Sequence, residues 1–147
     1  MATYYVAKLR REGKHWLVDF PDCPGCQTFG ESRNEAMAMA ADALAGWLAS
    51  ILKHGEPPPV PKSREGRTAV PVEVPAGLAA VIMIRLRRAK LGLTQKQLAE
   101  RLGVSQQQVA KLEDPDTNSS LSSIEKAMRA LGIRLEFVPE AGPLHSR

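Results

Sequence analysis

Apolar and polar residues alternate almost from the first position: Tyr5, Ala7 and Leu9 fall on one side of an extended backbone, Tyr4, Val6 and Lys8 on the other. A second run, His15 to Phe20, follows the Glu12-Gly13 turn, and together they predict a hairpin of period two. Pro21 ends the hairpin, and Gln27 to Phe29 is expected to add a short third strand. The period then becomes helical. Ser32 and Glu35 have capping-box spacing, and Met37, Ala40, Ala41, Leu44, Leu48 and Ile51 form one stripe reaching about Lys53, with Trp47 at its margin. That stripe should cover the sheet, because a hairpin alone buries too little apolar surface to be stable. The next segment, HGEPPPVPKSREGR from His54 to Arg67, has too much proline for a helix and reads as an extended connector.

Ala69 to Pro75 reads as one more strand, which either completes the first sheet or opens a second unit. Leu78, Ile82, Leu86 and Ala89 mark a helix, and TQKQLAERLGVSQQQVAKLE follows from Thr94 to Glu113. This segment has the signature of a helix-turn-helix. Ala99 is the small contact residue, Gly103 makes the turn, and Leu98, Leu102, Val104, Val109 and Leu112 supply the shared core. Thr94 with Gln97, and Ser105 with Gln108, have the spacing of two capping boxes. Ser122 with Glu125 is expected to cap a further helix, with Ile124, Ala127, Met128 and Leu131 inward and Gly132 ending it. Ile133 to Val138 then alternates again. Ile133, Leu135 and Phe137 share one face, which predicts a strand that pairs with its copy in a second subunit or folds back onto Ala69 to Val74. Residues 139–147 read as a frayed tail.

A recognition helix in the major groove presents its first exposed side chains to base edges, and glutamine pairs bidentately with adenine. Gln106, Gln107 and Lys111 are the candidates for that role, with Ser105 at the helix start. Thr94 and Gln95, opening the preceding helix, are placed to meet phosphate. The residues alone also admit an amphipathic helical hairpin with solvated glutamines. The spacing resembles the phage-repressor (XRE) type of helix-turn-helix, and by that resemblance Gln95, Gln106 and Gln107 occupy DNA-facing positions.

The 147 residues, 44% of them hydrophobic, suit one domain or two small ones. Charge separates the halves. Residues 1–60 hold six Lys/Arg against seven Asp/Glu, whereas residues 61–147 hold fourteen against nine, so the net positive charge lies with the helix-turn-helix. No stretch is read as approaching the ~20 apolar residues of a membrane helix, and no signal-peptide core opens the chain, so a cytoplasmic protein without membrane contact is expected. Cys23 and Cys26 form a CPGC in a proline- and glycine-rich loop and read as structural; two thiols alone cannot make a four-ligand zinc site, although zinc shared between subunits would satisfy one.

The stretch YYVAKLRREGKHWLVDFPDCPGCQTFGESRNEAMAMAADALAGWLASILKHGEPPPVP, Tyr4 to Pro61, resembles the HicB antitoxin family. Phe20 to Cys26 matches its F-P-D-x-P-G-C phrase, Thr28 to Gly30 its T-x-G, Glu35-Ala36 its helix start and Pro57 to Pro61 its proline-rich exit; Cys23 stands where a larger apolar residue is usual. The resemblance implies an α+β fold: an N-terminal partial RNase H-like antiparallel sheet with one helix, and a C-terminal all-α helix-turn-helix domain ending in a β-strand. The boundaries expected are 1–60 for a toxin-binding domain, 61–75 for linker and strand, 76–138 for the DNA-binding domain and 139–147 for the tail. It further implies a HicA-like, mRNA-cleaving toxin as partner, operator double-stranded DNA as the second partner, and a homodimer or tetramer. Asp19, Phe20, Asp22, Glu31 and Glu35 near the loop are the candidate toxin contacts.

An RNase H-like sheet also raises a nuclease reading, which needs three or four carboxylates around metal. Asp19 and Asp22 are the one close pair, and no spacing rule brings Glu31 or Asp42 to them. His15, His54 and His145 fall on a strand, a linker and the tail, with no nucleophile placed beside them. The first half therefore reads as a binding module that needs no cofactor or metal. A free-standing regulator whose first half senses a ligand or protein is the alternative.

Overall fold

A computed structural model of the chain describes residues 4–140. Three strands, β1 (Tyr4–Glu12), β2 (His15–Asp19) and β3 (Gln27–Gly30), are followed by α1 (Arg33–Lys53) and a fourth strand, β4 (Ala69–Glu73). The sheet order is β3-β2-β1-β4 with every pair antiparallel, so the strand at Ala69 completes the first sheet. Pro71 is tolerated there because β4 is an edge. Four helices complete the chain: α2 (Ala76–Lys90), α3 (Gln95–Leu102), α4 (Gln106–Leu112) and α5 (Leu121–Ala130).

α1 covers one face of the sheet. Its buried side chains are Ala36, Ala40, Leu44, Leu48 and Leu52, a strict four-residue repeat, with Met37 and Ile51 at the margin and Ala41 in solvent, so the buried stripe is rotated from the one expected. They meet Tyr5, Ala7, Leu9, Val18 and Val72 from the sheet and Phe20, Cys23 and Cys26 from the loop. By length and composition α1 is apolar enough to cross a membrane, contrary to the sequence reading, but its apolar stripe lies on the sheet. Gly30 allows the close approach of β3 to α1: a Cβ there would press into the backbone of Ala36, 2.7 Å from its Cα.

The second core gathers Ala80, Ile84, Leu98, Ala99, Val109, Leu112, Ala127, Met128 and Leu131. α2 belongs to both cores, sending Ala79, Val81 and Ile82 to the first and Ala80 and Ile84 to the second. It is buried on two sides, which explains why its apolar residues outrun a single stripe. Val104, expected in the core, is 38% exposed on the turn. Ser120, not Ser122, caps α5, its hydroxyl accepting from the Ser123 amide.

A buried ion pair sets the crossing of these helices. The Glu113 carboxylate, 1% exposed, accepts from Arg88 Nε at 2.6 Å and Nη2 at 2.7 Å, and from Gln95 Nε2 at 3.2 Å. Arg88 also donates to the Leu93 carbonyl, so it pins the α2–α3 turn and the end of α4 together. Arg85 spans the two cores, donating from Nε to the Glu113 carbonyl at 3.0 Å and from Nη2 to the Leu52 carbonyl at 3.1 Å. Beside it Lys53 meets Asp116 at 2.6 Å.

The strand expected over residues 133–138 is not formed. Its residues do not join the free edge of β4, which pairs with β1 alone, and a strand without a neighbour has no ladder to close. Ile133 and Leu135 instead rest half-buried on the second core, and Phe137 stands in solvent. The tail from residue 141 onward lies outside the described residues.

Removing one member of a buried pair strands its partner's charge, so Glu113→Ala should lower the unfolding free energy by about 3–5 kcal/mol in urea titrations. A loss below about 1 kcal/mol would show that the pair is not what holds α4 against α2.

Candidate DNA-reading surface and partner face

Both capping boxes of the helix-turn-helix are closed. Thr94 Oγ1 accepts from the Gln97 amide while Gln97 Oε1 accepts from the Thr94 amide, and Ser105 and Gln108 repeat the exchange. Gly103 between them sits at φ 68°, the left-handed region in which a side chain is strained. Each helix start is thereby fixed, and with it the direction of α4.

Val109 and Leu112 turn one side of α4 into the core, which leaves Gln106, Gln107 and Lys111 exposed on the other. These side chains have donors and acceptors suited to base edges in a major groove. Thr94 and Ser105 lie at the helix starts, but their hydroxyls are spent on the caps. Gln95 departs further from expectation. It is half-buried and donates its amide inward to Glu113, because a buried carboxylate with a free lone pair draws the nearest donor. The bond braces α3 against the end of α4. Arg88 and Glu113, which the sequence reading passed over, do the same work; a charged residue repeated near a helix end carries no periodic signal.

The candidate toxin contacts do not form one patch. Phe20 is 2% exposed and belongs to the core. Asp22 faces inward along the connector: Oδ2 accepts from the amides of Lys62 at 2.8 Å and Ser63 at 2.9 Å, and Oδ1 from the Ser63 hydroxyl. Partial burial pulls its pKa up, but the hydrogen bonds from Ser63 and Lys62 outweigh that and hold it below the usual carboxylate value. Tyr5 adds a second tie, its hydroxyl donating to the Pro59 carbonyl at 2.7 Å. The proline-rich connector is thus strapped to one end of the sheet, at the start of β1 and the loop after β2, which spacing alone could not reveal.

Asp19, Glu31 and Glu35 are exposed. Glu35 Oε2 accepts from the Glu31 amide, one residue before the Ser32 cap, so these two acids adjoin at the start of α1. Asp19 pairs with Gln27 and Trp16 with Gly30, which puts Asp19 at the opposite end of the β2–β3 ladder from Glu31. The register also places Leu17 and Phe29 side by side on the sheet face that α1 leaves open. Phe29 is 57% exposed, with the His15 ring edge-on to it at 5.6 Å. Phe29 is an exposed aromatic on the sheet face opposite α1, a feature that the short QTFG strand concealed.

Burial pushes the Cys23 thiol up to about 12, with Cys26 and then Asp22 adding to the shift, and burial raises Cys26 as well. Neither supplies a thiolate at neutral pH, and both act as small apolar fill in the loop. Among the described residues no three His, Cys, Asp or Glu side chains gather into a metal-binding group.

Comparison with known proteins divides the chain as its two cores do. Residues 4–82 match the family described as HicB-like antitoxin of bacterial toxin-antitoxin system, and residues 84–138 match a helix-turn-helix family. The chain is 32% identical over 134 residues to Antitoxin HicB 2 of Photorhabdus laumondii, covering 91% of this chain and 94% of the relative. Over 123 residues it is 28% identical to Antitoxin HicB of Escherichia coli K12, covering 84% and 88% respectively. An uncharacterized HTH-type transcriptional regulator of Methanothermobacter thermautotrophicus shares 46% identity over 50 residues, 34% of this chain and 72% of that protein.

The Asp22 strap gives a pH test with a definite sign. A carboxylate held below its ordinary value stabilises the fold above that value and loses the contribution as pH falls through and below about 3.9. Asp22→Asn should cost roughly 1–2 kcal/mol at pH 7 and flatten the acid limb of stability between about pH 5 and pH 2; an unchanged acid limb would detach Asp22 from it.

Proposed function

The chain belongs to the HicB-like family of bacterial antitoxins, and on that premise we propose that its sheet half neutralises a HicA-like, mRNA-cleaving toxin while α4 represses the shared operon by reading operator DNA. The observation that supports the reading is that α2 packs into both cores, joining a sheet whose Phe29 is exposed on its open face to α4, whose Gln106 and Gln107 are exposed. The first half acts as a binding module and not as a nuclease. Its carboxylates are spent on the connector (Asp22), on capping α1 (Glu35), or stand apart at the two ends of a ladder (Asp19 and Glu31).

Neutralisation is a matter of coverage. Phe29, exposed two residues before Glu31, offers an aromatic anchor to a basic RNA-binding protein, with Asp19 at the far end of the same strands. On the DNA side the α3 amino end meets phosphate through backbone amides left over by the Thr94 box, and Gln106, Gln107 and Lys111 meet bases. Operator recognition calls for two such helices about 34 Å apart, so the chain works as a homodimer, or as a pair of dimers. Of Ile133, Leu135 and Phe137, the first two are half-buried on their own core and Phe137 remains to reach a second subunit.

Opposite losses test the division of labour. Gln106→Ala with Gln107→Ala should weaken operator binding by about 1–3 kcal/mol for each bidentate pair lost, while the small basic protein encoded beside this chain still co-purifies and stays inactive in an RNA cleavage assay. Phe29→Asp should do the reverse, releasing ribonuclease activity with operator affinity intact. If neither variant changes the cleavage assay, or if the purified chain itself degrades RNA with magnesium, the antitoxin mechanism proposed here is wrong.

A further inference from the structure

Phe137 and Val138 are the most exposed large apolar side chains among the described residues, at 78% and 77%. They stand consecutively in a segment without ladder partners, with Glu136 before them and Glu140 two residues after. Ile133 and Leu135 fasten the preceding residues to the second core, so the segment leaves the DNA-reading half just beyond Leu135.

The same half carries a groove of about 640 Å³ between α3, α4 and α5. Leu102, Val104, Leu112 and Ala130 line it with apolar surface, and Arg101, Lys111, Lys126 and Arg129 stand around it with no carboxylate among the lining residues. Arg129 is met from its own helix by Glu125 at 3.8 Å, a contact too long to neutralise it. The groove and the segment are complementary: apolar floor to apolar pair, and Arg101, Lys126 and Arg129, apart from the DNA-reading Lys111, to two acids. They do not meet within one chain, since Phe137 stands in solvent.

We propose that the groove receives residues 136–140 of a second copy of the chain, with Phe137 and Val138 on its floor and Glu136 and Glu140 toward Lys126, Arg129 and their neighbours. The exchange is reciprocal, because each copy owns one groove and one segment, and reciprocity closes a two-fold dimer without leaving a free end. It rests on the dimeric reading above and names the receptor that reading lacked. It also brings the partner's segment against the flank of α4 that carries Gln108 and Lys111, so the same contact that joins the copies fixes how their recognition helices are spaced.

Sedimentation equilibrium of the full chain tests it. Lys126→Glu with Arg129→Glu should raise the dimer dissociation constant roughly 100-fold, since like charges placed together at an interface cost several kcal/mol. Adding Glu136→Lys and Glu140→Lys should restore it to within about tenfold of wild type. Phe137→Asp, at a solvent-facing position, should give the same loss with an unchanged far-ultraviolet circular dichroism spectrum, which keeps the test valid if the groove variant folds poorly. A groove variant that stays dimeric while Phe137→Asp is monomeric would overturn the proposal in favour of direct segment-to-segment pairing. A groove variant that stays dimeric but binds all DNA sequences more weakly, with a shallower salt dependence, would assign the cations to phosphate and overturn it equally. A wild-type chain that is monomeric would remove the dimeric reading itself.

Discussion

The geometry of the DNA-reading half depends on a carboxylate held where water cannot reach. Glu113 lies at the end of α4 and its bidentate partner Arg88 near the end of α2, so the pair joins two helices whose apolar contacts alone would leave their crossing loosely set. Hydrophobic contact is non-directional, whereas a planar guanidinium against a carboxylate admits one arrangement. The same carboxylate claims Gln95 at the head of α3, and its backbone carbonyl claims Arg85. All three helices that shape the DNA face are therefore oriented by one acidic side chain, which is why Gln106 and Gln107 can be exposed on a fixed platform.

α2 extends that order into the sheet. Its residues alternate allegiance, Ala79, Val81 and Ile82 toward α1 and the strands, Ala80 and Ile84 toward the helix-turn-helix. Arg85 strengthens the junction electrostatically, since its guanidinium sits against carbonyls at the ends of two helices, where the backbone dipoles concentrate negative charge. Burial lowers the pKa of Arg85, and the Glu113 hydrogen bonds raise that of Arg88, yet both remain charged at any physiological pH. The two guanidinium ends of the junction are permanent in that sense.

Much of this was legible in the sequence because local chemistry leaves local marks. Thr94 with Gln97, Ser105 with Gln108, and Gly103 specified two helix starts and a turn, and the structure closes each as spaced. The alternation at Tyr5 to Leu9 gave the central strand, and the family resemblance of residues 4–61 agrees with the match over residues 4–82. What the sequence hid was decided at long range. Asp22 read as a surface acid because its partners, Lys62 and Ser63, lie forty residues away. The bond from Gln95 to Glu113 stayed hidden because a buried acceptor cannot be seen from spacing. The final alternation at Ile133 to Val138 fits a strand, but a strand exists only where a neighbour offers hydrogen bonds, and period two is blind to whether one does.

The dual burial of α2 also governs how such proteins can be recombined. A chimera cut in the proline-rich connector would deprive the sheet of β4 and leave Ala79, Val81 and Ile82 bare; a cut after Lys90 would take from the helix-turn-helix the helix that supplies Ala80, Ile84 and Arg88. No single breakpoint yields two transplantable modules. An engineer exchanging operator specificity between relatives would have to splice within α2 itself, keeping one parent's side chains on the sheet-facing flank and the other's on the opposite flank, so that the graft is chosen by helix face and not by position along the chain.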